Sequence, residues 1–329
     1  MSLTPYTEVA EPVMPILAHT LLSHGHSAAE IPESEPSQPH TATRNWNLSD
    51  DVGKGLRSSP DGVFRSGTVI GFSRLRDIQK EDSEDDEYIG QLPRHLLTIH
   101  LRRSHSTNIQ TKAYIIHPIN FNAFAPKRLL ASLLNTSHQP TLSRDDAISH
   151  LDSVELFPVY DFQAAAGAIN MISDSIDTMP SPSHPILIII AGLDTLAEGV
   201  IRASNAVRGA AMLTSVLRTL TQLTRTHPSS LSVMLVNTSG LGTMASQPTT
   251  PRRYPGTLTQ IAQGDGIYSA FRGHSGETSL FPSLLMRTLD QGVDTHLLLS
   301  SVGQVPVVEV IKDRVGGHVG RWCVWKGAR

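Results

Sequence analysis

"HPILIIIAGLDTL", residues 184–196, holds the run on which the fold turns. Leu187 to Ile190 are all apolar, with Pro185 before them and Gly192 after. A strand with one wet face alternates apolar and polar residues. A strand without polar residues is covered on both faces, the situation of a parallel sheet between helices. The chain on either side repeats this pattern. Strands are predicted at 66–72 ("SGTVIGF"), 111–118 ("TKAYIIHP"), 152–159 ("DSVELFPV"), 185–192 and 231–239 ("LSVMLVNTS"). Helices are predicted at 91–103, 125–135, 162–176 and 205–227, with one more at 281–291. The end reads as a meander of "DTHLLLSSV", "PVVEVIKDR" and "GRWCVWK". The expectation is an α/β fold, a mostly parallel sheet between two helical layers, finished by a C-terminal β-hairpin.

Composition narrows the classes. A length of 329 residues suits one large domain or two small ones. A formal net charge of -3 argues against a strongly basic nucleic-acid binder but leaves room for a local basic patch. Cys323 is the single cysteine, which excludes an intrachain disulfide and a cysteine-rich zinc site. No apolar run approaches the roughly 20 residues that span a bilayer, and no secretory signal opens the chain. A soluble, intracellular, reducing location is expected, with no membrane partner. Residues 1–44 are rich in Pro, Ser, His and Thr and read as a disordered tail before a core domain at 45–329.

Several strings, in order, resemble the ATPase core of RecA-type recombinases, in particular the eukaryotic recombinase paralogues. They are "NLSDDVGKGLRSSPDGVFRSGTVIGF" (47–72), "AYIIHPINFNAFAPKRLLASLL" (113–134), "LDSVELFPVYDFQAAAGAI" (151–169), "LFPSLLMRTLDQGVDTHLLL" (280–299) and "VEVIKDRVGGHVGRW" (308–322). His296 stands where that family usually has Arg. The resemblance implies a RecA-like three-layer αβα core and the P-loop NTPase superfamily. It also implies a nuclear role in homologous recombination and DNA repair.

The phosphate chemistry of that family is missing in three places. A phosphate loop needs glycines whose N–H groups face the phosphates, a Lys, and a Ser/Thr for Mg²⁺. After "VIGF" the chain reads "SRLRDIQKEDSEDDEYIGQL", with no such motif. Glu81, Asp82, Glu84, Asp85, Asp86 and Glu87 would instead crowd a polyanion. Like charges a few ångström apart repel by about 1 kcal/mol per pair even in water. The run is read as a solvated acidic loop. "VGKG" (52–55) precedes the strand and puts Gly55 at the hydroxyl position. At the tip of the second strand, where the family carries an acid, stand His117, Pro118 and Ile119; at the tip of the fourth stands Ala191. Asp194 is the acid nearest to that tip. The expectation is a pseudo-ATPase with no catalytic residue, no metal and no cofactor.

Two segments are left to meet DNA, as the loops after the fourth and fifth strands do in the family. The first is "AEGVIRASNAVRG" (197–209), with Arg202 and Arg208. The second is the polar stretch 240–279, with Arg252, Arg253, Tyr254, Phe271 and Arg272. Guanidinium groups pair with phosphates, and aromatic faces stack bases at about 1–3 kcal/mol each. Lys312 and Arg314 resemble the family's late hairpin, which meets a neighbouring subunit. The leading expectation is a non-catalytic recombinase paralogue that binds DNA within a small complex of other recombinase-like paralogue subunits. The alternative is a scaffold subunit of an Elongator-like ring that acts in tRNA modification.

Overall fold

In the computed structural model, eight strands form one sheet in the order β3-β2-β4-β5-β1-β6-β7-β8. The structure describes residues 46–56, 62–75, 85–107, 111–135, 142–178, 184–241, 269, 283–302 and 305–325. All lie in the unit Arg44–Arg329, and the expected tail at 1–44 is outside the described residues. The strands are β1 (Val69–Arg74), β2 (Lys112–Pro118), β3 (Val154–Val159), β4 (Ile186–Ala191), β5 (Leu231–Val236), β6 (Thr295–Val302), β7 (Val305–Asp313) and β8 (Trp322–Val324). Only β7 runs against the rest: β1 to β6 pair in parallel, and β7 is antiparallel to both β6 and β8.

Helices cover both faces, and β4 shows why its run has no polar residue. Leu187, Ile189 and Ala191 enter one core, while Ile186, Ile188 and Ile190 enter the other. The first core is closed by α1 (Leu48–Lys54), α2 (Asp85–Thr107), α3 (Pro126–Leu134) and α4 (Arg144–Leu151), through residues such as Val52, Leu96, Leu129 and Ala147. The second is closed by α5 (Phe162–Asp177), α6 (Leu193–Ala203), α7 (Ala206–Thr226) and α8 (Leu284–Gln291), through Ile169, Ala197, Leu217 and Leu289. Each Leu or Ile buried this way contributes about 1.5–3 kcal/mol. No described helix is long and apolar enough to cross a membrane.

Local chemistry sets the helix starts. Side-chain oxygens of Asn47, Ser143, Asp161, Asn205 and Ser283 accept the orphan N–H three residues on. Pro126 opens α3, where its missing N–H costs nothing. Edge strand β3 protects itself in a similarly local way. Ala113 N–H donates to Ser153 O and Ile119 N–H to Val159 O, so the alternation turns Pro158 outward, where it offers no donor.

Three expectations change. The segment 197–209 is mostly helical, because Leu193, Leu196, Ala197, Val200 and Ile201 repeat at helical spacing, and only Ser204 and Asn205 separate α6 from α7. Helix α2 starts at Asp85 rather than 91, extended by Tyr88 and Ile89 one turn before Leu92, so the acidic run is not all loop. Strand β1 spans Val69–Arg74 rather than 66–72.

His100 on α2 gives this core a pH dependence. Burial pushes its imidazole down to about 4, with a backbone hydrogen bond at Pro185 opposing and Arg103 assisting. The unfolded chain therefore takes up a proton near pH 6.5 that the folded chain refuses until about 4. Between these values the unfolded state binds more protons, so stability falls as pH falls, by up to about 3 kcal/mol. His100→Asn keeps a short polar donor without the titration. Urea midpoints for the wild type are expected to drop more steeply than for the variant across that window; parallel curves would refute the assignment.

Candidate functional site

In open α/β sheets ligands bind beyond the carboxyl ends of the strands, where neighbouring connections leave toward opposite faces. Here that happens between β1 and β5 and between β2 and β4, since α2 and α3 cover one face and α6 and α8 the other. The polar groups at these tips are bound to one another. Asp194, fully buried in the first turn of α6, accepts from Thr238 N and Oγ1 at 3.1 and 3.3 Å and from Ser239 N and Oγ at 2.6 Å each. Its carboxylate is spent on tying the β4 tip to the β5 tip. Gly192, at φ +68°, precedes it, and a Cβ there would meet the Pro118 ring at 2.6 Å. The β2 tip is thus packed directly on the β4 tip. Ala191, with no oxygen to offer, is fully buried.

"VGKG" lies at the end of α1, with Gly55 as its C-cap at φ +59°. Arg103 donates to the carbonyls of Gly53 and Lys54. A phosphate cradle presents N–H groups; this turn presents carbonyl oxygens to a cation.

Below the β1 tip runs a buried polar line that the sequence did not reveal. Asn237 Nδ2 donates to Ser73 Oγ at 2.8 Å, and Ser73 Oγ lies 2.8 Å from His296 Nε2. His296 Nδ1 lies 3.0 Å from Asp290 Oδ1, and Lys312 Nζ lies 2.8 Å from Asp290 Oδ2. The bonds close if the ring proton sits on Nδ1, so that His296 donates to Asp290 and accepts from Ser73. Gly71 makes the room: a Cβ there would stand 2.9 Å from Val293 and 3.2 Å from the His296 ring. Burial would raise the Asp290 pKa, but the His296 hydrogen bond and the Lys312 ammonium outweigh it and hold the carboxyl below its usual range. Burial lowers the Lys312 pKa, with Asp290 opposing.

Serine, histidine and aspartate in this sequence of contacts match a nucleophile, its base and an orienting acid. Access decides against that role: Ser73 and His296 are each 0% exposed. The line is a structural strut across β5, β1, β6, α8 and β7.

No family model matches the chain, and no curated protein matches it in sequence.

The expected site residues fall into three groups. Arg202, in the last turn of α6, is 79% exposed and pairs with Glu198 at 3.0 Å. Arg208 is exposed in the first turn of α7, its backbone N–H capped by Asn205, and its guanidinium has no ion pair among the described residues. Arg252, Arg253, Tyr254, Phe271 and Arg272 lie outside the described residues. Lys312 and Arg314 both reach the end of α8, Lys312 through Asp290 and Arg314 through the Gln291 carbonyl at 2.7 Å. They neutralise the negative end of that helix within their own chain.

A groove of about 530 Å³ opens between α5, α6 and α7. Tyr160, Asp161, Gln163, Gly199, Arg208 and Met212 are among the residues that line it. Tyr160 has no sequence signal beyond its place between β3 and the cap Asp161, and it is 81% exposed.

His296→Leu leaves Ser73 and Asp290 without their shared partner inside the core. It is expected to lower the unfolding free energy in urea by about 3 kcal/mol. Arg314→Ala, at the surface, should change it by less than about 1 kcal/mol. A fluorophosphonate probe should leave Ser73 unlabelled in the native protein; labelling there by mass spectrometry would mean that the strut opens.

Proposed function

We propose that this protein is a non-catalytic, RecA-like recombinase paralogue that binds DNA as a subunit of a small complex assisting homologous recombination. What carries the reading is where the resembling strings fall. In chain order they lie on α1 and β1, on β2 and α3, on β3 and α5, on α8 and β6, and on β7 and β8, all elements of one sheet and its covering helices. Scattered chance similarity has no reason to respect a single topology.

The strand tips support the non-catalytic part. The acid nearest the β4 tip holds Thr238 and Ser239, the β2 tip packs on Gly192, and the lysine-bearing turn faces Arg103 with its carbonyls. Each group that resembles part of a phosphate site is committed to a bond inside the protein. Calorimetry with Mg-ATP is expected to give no binding heat. Micromolar affinity that depends on Mg²⁺ would falsify the pseudo-ATPase reading.

The DNA part rests on arginines. If Arg252, Arg253 and Arg272 each neutralise a phosphate, binding weakens with salt at a log–log slope near -0.7 per phosphate on single strands. Replacing all three by alanine should flatten the slope by roughly two units. Purification of the tagged full chain from its own cells tests the whole reading. Recombinase-like subunits are expected to accompany it; tRNA-modification subunits instead would make it the scaffold of an Elongator-like ring.

A further inference from the structure

We infer that the groove between α5, α6 and α7 takes one unstacked nucleotide of a single strand, its base on Tyr160 and a flanking phosphate on Arg208. The inference rests on the DNA-binding reading proposed above and adds a site and a substrate form to it.

Four observations converge. Tyr160 is 81% exposed where most large apolar side chains are buried, so its ring offers a free face. Arg208 lines the same groove with a guanidinium that no acid among the described residues engages, unlike Arg202, which Glu198 holds. Gln163, on the α5 wall, adds an amide able to donate and accept at a base edge. Gly199, also on the lining, leaves space for a side chain: a Cβ built there meets nothing within 4 Å. The volume of about 530 Å³ lies in the usual range for small-molecule sites.

The chemistry selects the ligand. An aromatic face, an amide and an unpaired cation around one concavity match a base, its edge and its phosphate. A duplex keeps its bases stacked and paired, so it cannot lower one into a groove without unpairing. Carboxylates bound the choice from the other side. Asp161 caps α5 through Ala164 N–H at 2.7 Å, and Glu198 is held by Arg202. Asp161 lines the groove too, but its Oδ1 is turned to the start of α5, and Glu198 is not among the lining residues, which leaves Arg208 as the lining cation able to meet a phosphate.

Gly199 provides a test that removes no charge. Gly199→Trp puts an indole on the groove lining, and a helix interior favours Trp over Gly, so the fold should tolerate it. Anisotropy of fluorescein-labelled oligothymidylate, and of a labelled duplex, is read on the full chain across a salt series. Gly199→Trp and Tyr160→Ala are each expected to weaken single-strand binding roughly tenfold without changing the salt slope. Arg208→Ala should flatten that slope by about 0.7. Duplex binding should not change with any of the three. If all three variants bind the single strand like wild type while the Arg252, Arg253 and Arg272 triple variant loses it, the groove inference is overturned and the DNA reading stands. If wild type binds neither probe at low salt, the DNA reading itself falls.

Discussion

The architecture depends on covering β4 from both sides. With Ile186 to Ala191 fully or nearly fully buried, neither face of that strand tolerates water. One helical layer would leave three of its side chains exposed, a loss of several kcal/mol. Parallel pairing on both edges, to β2 and to β5, adds a second demand: each return to the sheet needs a crossover. Helices used for crossovers are also the helices that cover the faces. Burial and connectivity thus select the same arrangement, and α6, α7 and their groove exist because β4 must reach β5.

That arrangement concentrates polar groups at the strand tips, where a ligand would otherwise satisfy them. Here other protein groups do so. Asp194 holds two residues of the β5 tip by charge-assisted bonds, each worth about 1.5–3 kcal/mol. Ser73 and His296 reach across from β1 to β6 over the space left at Gly71. A strut of this kind specifies one register, since a shifted β6 would take His296 away from both Ser73 and Asp290. Opposite His296 and Leu297 the extra residue is Ile311 of β7, so the bulge lies on β7 while β6 keeps its register with β1.

Much of the sheet was legible in the sequence because strand identity is a local property. Val/Ile runs bounded by Gly and Pro located β2, β4 and β5 to within a few residues. Helix α6 is written in Leu193, Leu196, Ala197, Val200 and Ile201, although Gly199 and the polar Ser204 and Asn205 give the segment the composition of a loop. The strut was not legible. Ser73 and His296 are 223 positions apart, and no spacing rule joins residues whose contact depends on β1 and β6 being neighbours. Tyr160 is illegible for the opposite reason: one tyrosine in a sequence says nothing until its exposure is known. Arg202 and Arg208 looked equivalent on paper, and only Glu198 separates them.

The division between bound and unbound polar groups also orders the surface by what it can give up. Asp194, Lys312 and Arg314 each hold part of their own chain, so recruiting any of them to a partner first breaks an internal bond. For Asp194 that cost includes two backbone N–H groups left without acceptors at the β5 tip, which makes its recruitment the least favourable. Arg314 is exposed and gives up one carbonyl contact, so among the two hairpin cations it is the cheaper to redirect. Among the described residues Arg208 gives up nothing, because its guanidinium is bound to no acid there and its backbone cap is unaffected by where the side chain points. Binding free energy is a difference between bound and free states. A cation already desolvated or paired therefore contributes less than one waiting in water beside an open groove. By that criterion the described surface offers a partner the α5–α6–α7 side of the sheet before it offers the hairpin, and the strand tips last.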